Sequence, residues 1–377
     1  MKKIAIVNRT NLKNYGSVLQ VYALCEVVKN LGYDVEAIWE TGNLSKNYDF
    51  RPNKIISTGC KLLTHPRLLK STFSNIRYVQ QHIISEQTIQ MFDSFVDSHI
   101  KRTFYPAKMM KQCKVGRAYD KFICGSDQIW CTTTLYVDPL MYLRFAPKEK
   151  RVAYAPSLGR DYIPNYSKRE MKKYIKDIPD VSVREYVGQK LIRELTGRDV
   201  PVVLDPTLLI SCEEWDQIKK VHESKEEYIV CYFLNTPTEE TQQKLLKFIK
   251  ESRKIVIALN SRLEHVENEV TVLYPDCGPR EFIGYISNAE YVLTDSYHGM
   301  LFSIIYHRQF WSIAREYGKF DQSSRQLSVL KMFGLNARYC RTQDIITEDT
   351  IDYETVQKRL DSEVEKSLNY LRRALEK

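Results

Sequence analysis

The stretch YVLTDSYHGMLFSI, Tyr291 to Ile304, decides how the rest of the chain is read. An apolar run, Tyr291-Val292-Leu293, stops at a short polar step, Thr294-Asp295-Ser296-Tyr297-His298-Gly299. A second apolar stretch, Met300 to Ile305, follows at once. That order predicts a buried strand, a tight loop and a helix packed back on a sheet. Open α/β sheets of this kind take their ligands at the carboxyl ends of the strands. A histidine and a carboxylate placed there are candidate site residues.

The same alternation repeats outward. KIAIVN (Lys3 to Asn8) reads as a first strand, Ser17 to Leu31 as a helix and DVEAIW as a second strand. A long helix near Asn75 to Ile100 interrupts the pattern. DKFICGS, KRVAYAPS, DVSVRE, a helix from Tyr186 to Thr196 and VPVVLDP resume it. A second series follows KKVHESKEE: YIVCYFL, a helix over Pro237 to Glu251, KIVIAL, EVTVLY, a helix from Pro279 to Ser287, YVLTD and QFWSIA. Repeated strand–helix units imply parallel sheets with right-handed crossovers. The expected fold class is α/β, with two Rossmann-like doubly wound domains facing a cleft. Residues 1–222 form the first domain, with a basic insertion at about 44–112. Residues 223–350 form the second, and 351–377 a last helix that crosses back.

Composition excludes several classes. At 377 residues, 43% hydrophobic and 27% charged, the chain is globular and long enough for two cores. The apolar run in MKKIAIVNRT is too short for a signal peptide, and no segment approaches a membrane span. Nine scattered cysteines without a CxxC pair read as reduced core thiols, so a cytoplasmic protein is expected. His65, His82 and His99 recur at even spacing without matching carboxylates, and no metal site is predicted. Composition sets no oligomeric state.

The net charge of +9 is unevenly spread. Between Asp49 and Glu86 there is no acidic residue, while Arg51, Lys54, Lys61, Arg67, Lys70 and Arg77 interleave with Ile55-Ile56, Leu62-Leu63 and Leu68-Leu69. Such a segment suits an anionic membrane surface or a diphosphate, through Lys54, Lys61, Arg67 and Lys70. A solvated basic loop and helix is an equal reading. Nucleic acid is not expected, because no binding motif is present.

Polar groups collect at the predicted strand ends, in NRTNLKNYGS, CGSDQIW, APSLG, VREY, LDPT and TDSYHG. Each has an ordinary structural account. Asn14 and Gly16 can make a turn and helix cap, Ser126 and Asp127 can cap a helix, and Asp205-Pro206 can be a turn. His298 alone can be a satisfied core histidine. Six such groups at one kind of position point to a site.

NYGSVLQVYAL, FICGSDQIW, VSVRE, VVLDPTLLIS, EEW and TDSYHGMLFSI, in that order, resemble the polysaccharide pyruvyl transferase family. The resemblance runs from Lys3 to about Asn336 and is weakest across Leu44 to Gln112. It implies a two-domain fold like that of GT-B glycosyltransferases. It also implies transfer of a pyruvyl group from phosphoenolpyruvate, a co-substrate and not a cofactor, to sugar hydroxyls. The sugar is expected on a lipid carrier at the inner membrane surface.

That chemistry needs cations for the donor, an acid for its enol carbon and a base for the hydroxyl. Histidine exchanges protons near neutral pH, which suits His298 to the acid role. Its place before Gly299 would bring backbone N–H groups to the donor. Arg184 suits the donor's carboxylate or phosphate through its two-pronged guanidinium. Where the family often carries an arginine two residues before the histidine, this chain has Ser296, and Arg325 with Lys319 behind it is the expected substitute. Ser296, Tyr297 and Gly299 complete the donor side. Asp127 and Asp295 are candidates for activating the hydroxyl. Asn14, Tyr15, Gly16, Ser17, Ser126 and Gln128 are expected on the acceptor side. A nucleotide-sugar glycosyltransferase and a non-catalytic carbohydrate-binding subunit remain alternatives on the same fold.

Overall fold

The computed structural model describes residues 1–8, 13–41, 44–45, 48–49, 52–68, 85–106, 115–131, 135–221, 226–315, 323–341 and 344–377. The first unit contains β1 (Lys3–Val7), α1 (Tyr15–Asn30), β2 (Asp34–Thr41), α2 (Pro52–Thr64), α3 (Glu86–His99), β3 (Arg102–Pro106), β4 (Lys121–Cys124), β5 (Arg151–Ala153), α4 (Asn165–Lys176), β6 (Asp180–Val181), α5 (Tyr186–Thr196) and α6 (Cys212–Asp216). The second contains β7 (Tyr228–Tyr232), α7 (Glu239–Ser252), β8 (Ile255–Leu259), β9 (Val272–Leu273), α8 (Pro279–Asn288), β10 (Tyr291–Thr294), α9 (Tyr297–Ile305), β11 (Gln309–Ile313), α10 (Ser324–Phe333), β12 (Tyr339–Cys340) and the long α11 (Tyr353–Glu376).

Each unit holds one six-stranded parallel sheet, and the two share one topology. The first runs β3-β2-β1-β4-β5-β6 and the second β9-β8-β7-β10-β11-β12. Strand order therefore reverses twice, beside β1 and β4 and again beside β7 and β10. A doubly wound sheet opens its ligand crevice at such a reversal. The central strands are buried on both faces, as the unbroken apolar runs IAIV and YVL require.

The two sheets are joined by apolar packing. One core cluster contains Ile4 and Val18 of the first unit with Tyr232, Val292 and Phe302 of the second. Tyr15 stacks on Phe282 at 4.5 Å and lies edge-on to Tyr232 at 5.5 Å, and its hydroxyl donates to the Cys277 carbonyl at 2.9 Å. The side chain is thus part of the junction between the two units.

The C-terminal helix does cross back. Tyr353, at its start, donates to the Ser303 carbonyl of the second unit at 3.3 Å. Near its end, Tyr370 donates to the Ala153 carbonyl of the first sheet at 3.0 Å, and Ser367 Oγ accepts from Leu204 N at 3.0 Å.

Four elements depart from the sequence reading. VPVVLDP forms no sheet strand, since Pro201 interrupts it and only Val202 bridges to Val183. The edge strands β3 and β12 are too short or too polar to announce themselves. Within the stretch expected as a helix from Asn75, the described helix starts at Glu86 behind its Ser85 cap, and residues 75–84 lie outside the described residues.

Candidate active site

The reversal points of the two sheets face each other, and the polar strand ends meet there. From the first sheet come Ser126 and Asp127 after β4, and Arg184 and Glu185 after β6. Asp205 comes from the segment that leads to the second unit. From the second come Asp295, Tyr297 and His298 after β10, and Arg325 on α10.

The loop after β10 is fixed by short-range bonds. Thr294 Oγ1 donates to the Tyr232 carbonyl at 2.5 Å and accepts from Ser296 N at 3.0 Å. Ser296 then caps α9, its Oγ accepting from Gly299 N at 3.3 Å. The cap takes up the Gly299 N–H within the loop, while the Ser296 hydroxyl is the acceptor in that bond and keeps a proton of its own. Gly299 is glycine because a Cβ there would lie 2.6 Å from Thr294 Oγ1.

His298 is buried and held from two sides. A Cβ on Gly16 would fall 1.9 Å from His298 Nδ1, so the bare Cα of α1 is the seat of the imidazole. On the other side Nε2 lies 3.7 Å from Asp205 Oδ2, an ion-pair distance longer than a hydrogen bond. Nε2 has no hydrogen-bond partner among the described residues.

Asp205 is the hub of this network. Oδ2 accepts from Arg184 Nη1 at 2.6 Å and from Ser126 Oγ at 3.1 Å, and Oδ1 from Thr207 N and Oγ1 at 3.1 and 2.9 Å. Burial alone would disfavour its charge, yet His298 and Arg184 hold its carboxyl far below the usual carboxylate range. Sequence reading left Asp205 as a turn residue; the signal was the carboxylate before proline at a predicted strand end.

Arg184 forks between two carboxylates, with Nη2 3.4 Å from Asp127 Oδ1. Its guanidinium carbon sits 4.4 Å from the centroid of Tyr297, and that of Arg325 lies 5.8 Å from the same ring. With its carboxamide oxygen turned to Arg325, Gln128 accepts from Nη1 and Nη2 at 2.6 and 3.0 Å. Burial, then Arg315 and Arg184, bring the Arg325 guanidinium down to about 10. Burial likewise pushes the Glu185 carboxyl up, against the pull of Arg184.

Other expected residues serve the frame. Asp295 Oδ1 accepts from Leu234 N at 2.8 Å and Oδ2 lies 3.6 Å from Arg315 Nε, so the carboxylate helps to fix the loop after β10. Asn14 caps α1 through Ser17 N at 3.0 Å, and the Ser17 carbonyl accepts from Gln20. Ser126 Oγ donates to the Ala155 carbonyl or Asp205. Lys61 is bonded to Glu170 at 2.5 Å and to the Leu135 carbonyl at 2.7 Å. Lys319 and Lys70 lie outside the described residues. A cavity of about 740 Å³ lined by Leu208, Tyr306 and Arg308 lies at the far end of α9 from His298 and shares none of these groups.

The Gly16 seat makes a sharp expectation. Gly16→Ala should leave the fold intact, because alanine favours a helix, but displace the imidazole. Misplacement by about 1 Å costs on the order of 100-fold in rate, so kcat should fall that far with melting unchanged. A kcat near wild type would show that the imidazole does not depend on this contact.

Solved structures share the architecture. Arabidopsis thaliana UGT89C1 has a TM-score of 0.52 at 10% identity, covering 98% of this chain and 98% of its own. An S. aureus MnaA–UDP co-structure has a TM-score of 0.51 at 11% identity, covering 98% of this chain and 90% of its own. At such identity the likeness shows the fold alone, the GT-B arrangement of two doubly wound units. No curated protein sequence matches the chain. The model of the polysaccharide pyruvyl transferase family matches residues 14–317, a span that holds Gly16, Asp127, Arg184, Asp205 and His298. By that match the chain belongs to the polysaccharide pyruvyl transferase family.

Proposed function

We propose that the protein transfers the pyruvyl group of phosphoenolpyruvate to two hydroxyls of a sugar. The acceptor in this reading is a hexose that becomes a 4,6-ketal on a polyprenyl-diphosphate oligosaccharide. The product feeds capsule or exopolysaccharide synthesis, and the enzyme works at the cytoplasmic face of the membrane. The observation that carries the reading is the gathering of Arg184, Arg315 and Arg325 around the Asp295–His298 loop: Arg184 and Arg325 lie over the Tyr297 ring and Arg315 faces Asp295. Arg184 binds Asp205 and Asp127, Arg315 faces Asp295, and Arg325 reaches Gln128. A carboxylate or phosphate brought to Arg325 would relieve the repulsion from its two neighbours.

The residues divide the chemistry as follows. His298 gives a proton to the methylene carbon of the donor, which leaves positive charge at C2. A sugar hydroxyl adds there, the C2–phosphate bond breaks, and the second hydroxyl closes the ketal. Of the two hydroxyl protons, one replaces the proton given to carbon and the other leaves with phosphate. Asp127, partly exposed beside Arg184, is the carboxylate placed to take the hydroxyl proton.

Arg325→Lys tests the donor assignment, because a point charge does not reproduce a planar two-pronged contact. The apparent KM for phosphoenolpyruvate should rise about tenfold, in line with loss of one charge-assisted hydrogen bond. An unchanged donor KM with a raised acceptor KM would move Arg325 to the sugar side.

A further inference from the structure

The amphipathic helix α2 has no buried residue among its thirteen. Ile55, Ile56 and Leu63 stand 56%, 64% and 84% exposed. Ile56, Cys60 and Leu63 follow helical spacing, so with Ile55 alongside they form one stripe. Lys61 leaves the helix on the opposite side, and it is the tether: its ammonium binds Glu170 of α4 at 2.5 Å and the Leu135 carbonyl at 2.7 Å. The stripe is therefore turned away from the body of the first unit.

Tethering places α2 beside a basic helix that the sequence reading passed over. In α4, Ser167, Met171 and Ile175 are buried at helical spacing, while Lys168, Arg169, Lys172, Lys173 and Lys176 are exposed. The two acids in this run are already engaged, Glu170 with Lys61 and Asp177 with Arg144 and Lys148. Among the described residues, no acidic side chain pairs with the five exposed cations.

We infer that the outer faces of α2 and α4 together dock the enzyme on an anionic lipid bilayer. Five cations suit the headgroups and the apolar stripe suits the acyl boundary just beneath them. A soluble polyanion would leave the stripe uncovered. A second copy of this chain would set like charges against each other. The cations differ from those the acid-free segment suggested, because Lys61 holds the two helices together instead of meeting the lipid. The inference adds a location to the reaction proposed above and rests on that reading only for its purpose, since binding is measured without turnover.

The test is flotation of the full chain with phosphatidylcholine vesicles, with and without phosphatidylglycerol, at low and high salt. Wild type should float with the anionic vesicles at low salt and be released by high salt. The variant K168Q/R169Q/K172Q/K173Q should bind on the order of a thousandfold more weakly, and I56S/L63S on the order of a hundredfold. All these side chains are exposed, so both variants should melt as wild type does. Failure of wild type to float on anionic vesicles, equal flotation on neutral ones, or full binding by the lysine variant would overturn the inference. So would an I56S/L63S variant that changes the sedimenting mass but not flotation, since the stripe would then join two copies.

Discussion

Purified His298→Ala is expected to lose transfer by on the order of 10²–10⁴-fold, the usual contribution of a positioned proton donor. The variant should still fold, because α9 is capped by Ser296 and anchored by Thr294, neither of which touches the imidazole. It should also still bind phosphoenolpyruvate, since the guanidiniums of Arg184, Arg315 and Arg325 belong to other elements. Single-turnover kinetics with intact donor affinity by calorimetry is the measurement. A variant that turns over near the wild-type rate would remove His298 from the proton-donor role. One that loses donor affinity and rate together would make it a donor ligand.

Asp205→Asn is expected to cost both stability and rate. The substitution keeps the shape and the acceptor for Thr207, but takes the countercharge from Arg184, whose side chain is only 1% exposed. Removing one partner of a buried ion pair costs about 3–5 kcal/mol, because the remaining charge stays out of water. The pH dependence has a definite sign. The Asp205 carboxyl is held below its unfolded value, which lies near pH 4. Its contribution is therefore fully present above that pH and is lost as pH falls toward the lowered folded value. Urea unfolding should show the wild-type advantage over Asp205→Asn at pH 7 and a smaller one at about pH 3. An equal gap at both would mean that the carboxylate's charge is not what stabilises the junction.

Much of this architecture was legible in the sequence because parallel sheets bury whole strands. IAIV, FIC and YVL announce themselves as apolar runs, and the polar step after each marks a strand end. His298 and Arg184 follow two such steps, and the structure brings both to Asp205. The remainder depends on contacts between residues far apart in the chain. Gly16 reads as a turn residue or as part of the acceptor side, whereas a Cβ there would fall on an imidazole contributed by the other sheet. Tyr15 read as cleft-facing because it sits at a helix start, yet Phe282 and Cys277 claim it. Lys61 looked like a free cation in an acid-free run, and its acid came from α4 instead. The basic face of α4 escaped notice because Glu170 interrupts its charge in sequence but not on the exposed surface.

The proposed reaction has phosphoenolpyruvate as donor and a sugar diol as acceptor. The most direct measurement incubates the enzyme with phosphoenolpyruvate and a panel of lipid-linked sugars, reading acceptor mass and inorganic phosphate together. One phosphate should be released for each acceptor that gains a pyruvate ketal, and His298→Ala should lose both signals. Nucleotide released from a sugar nucleotide, with phosphoenolpyruvate untouched, would contradict it.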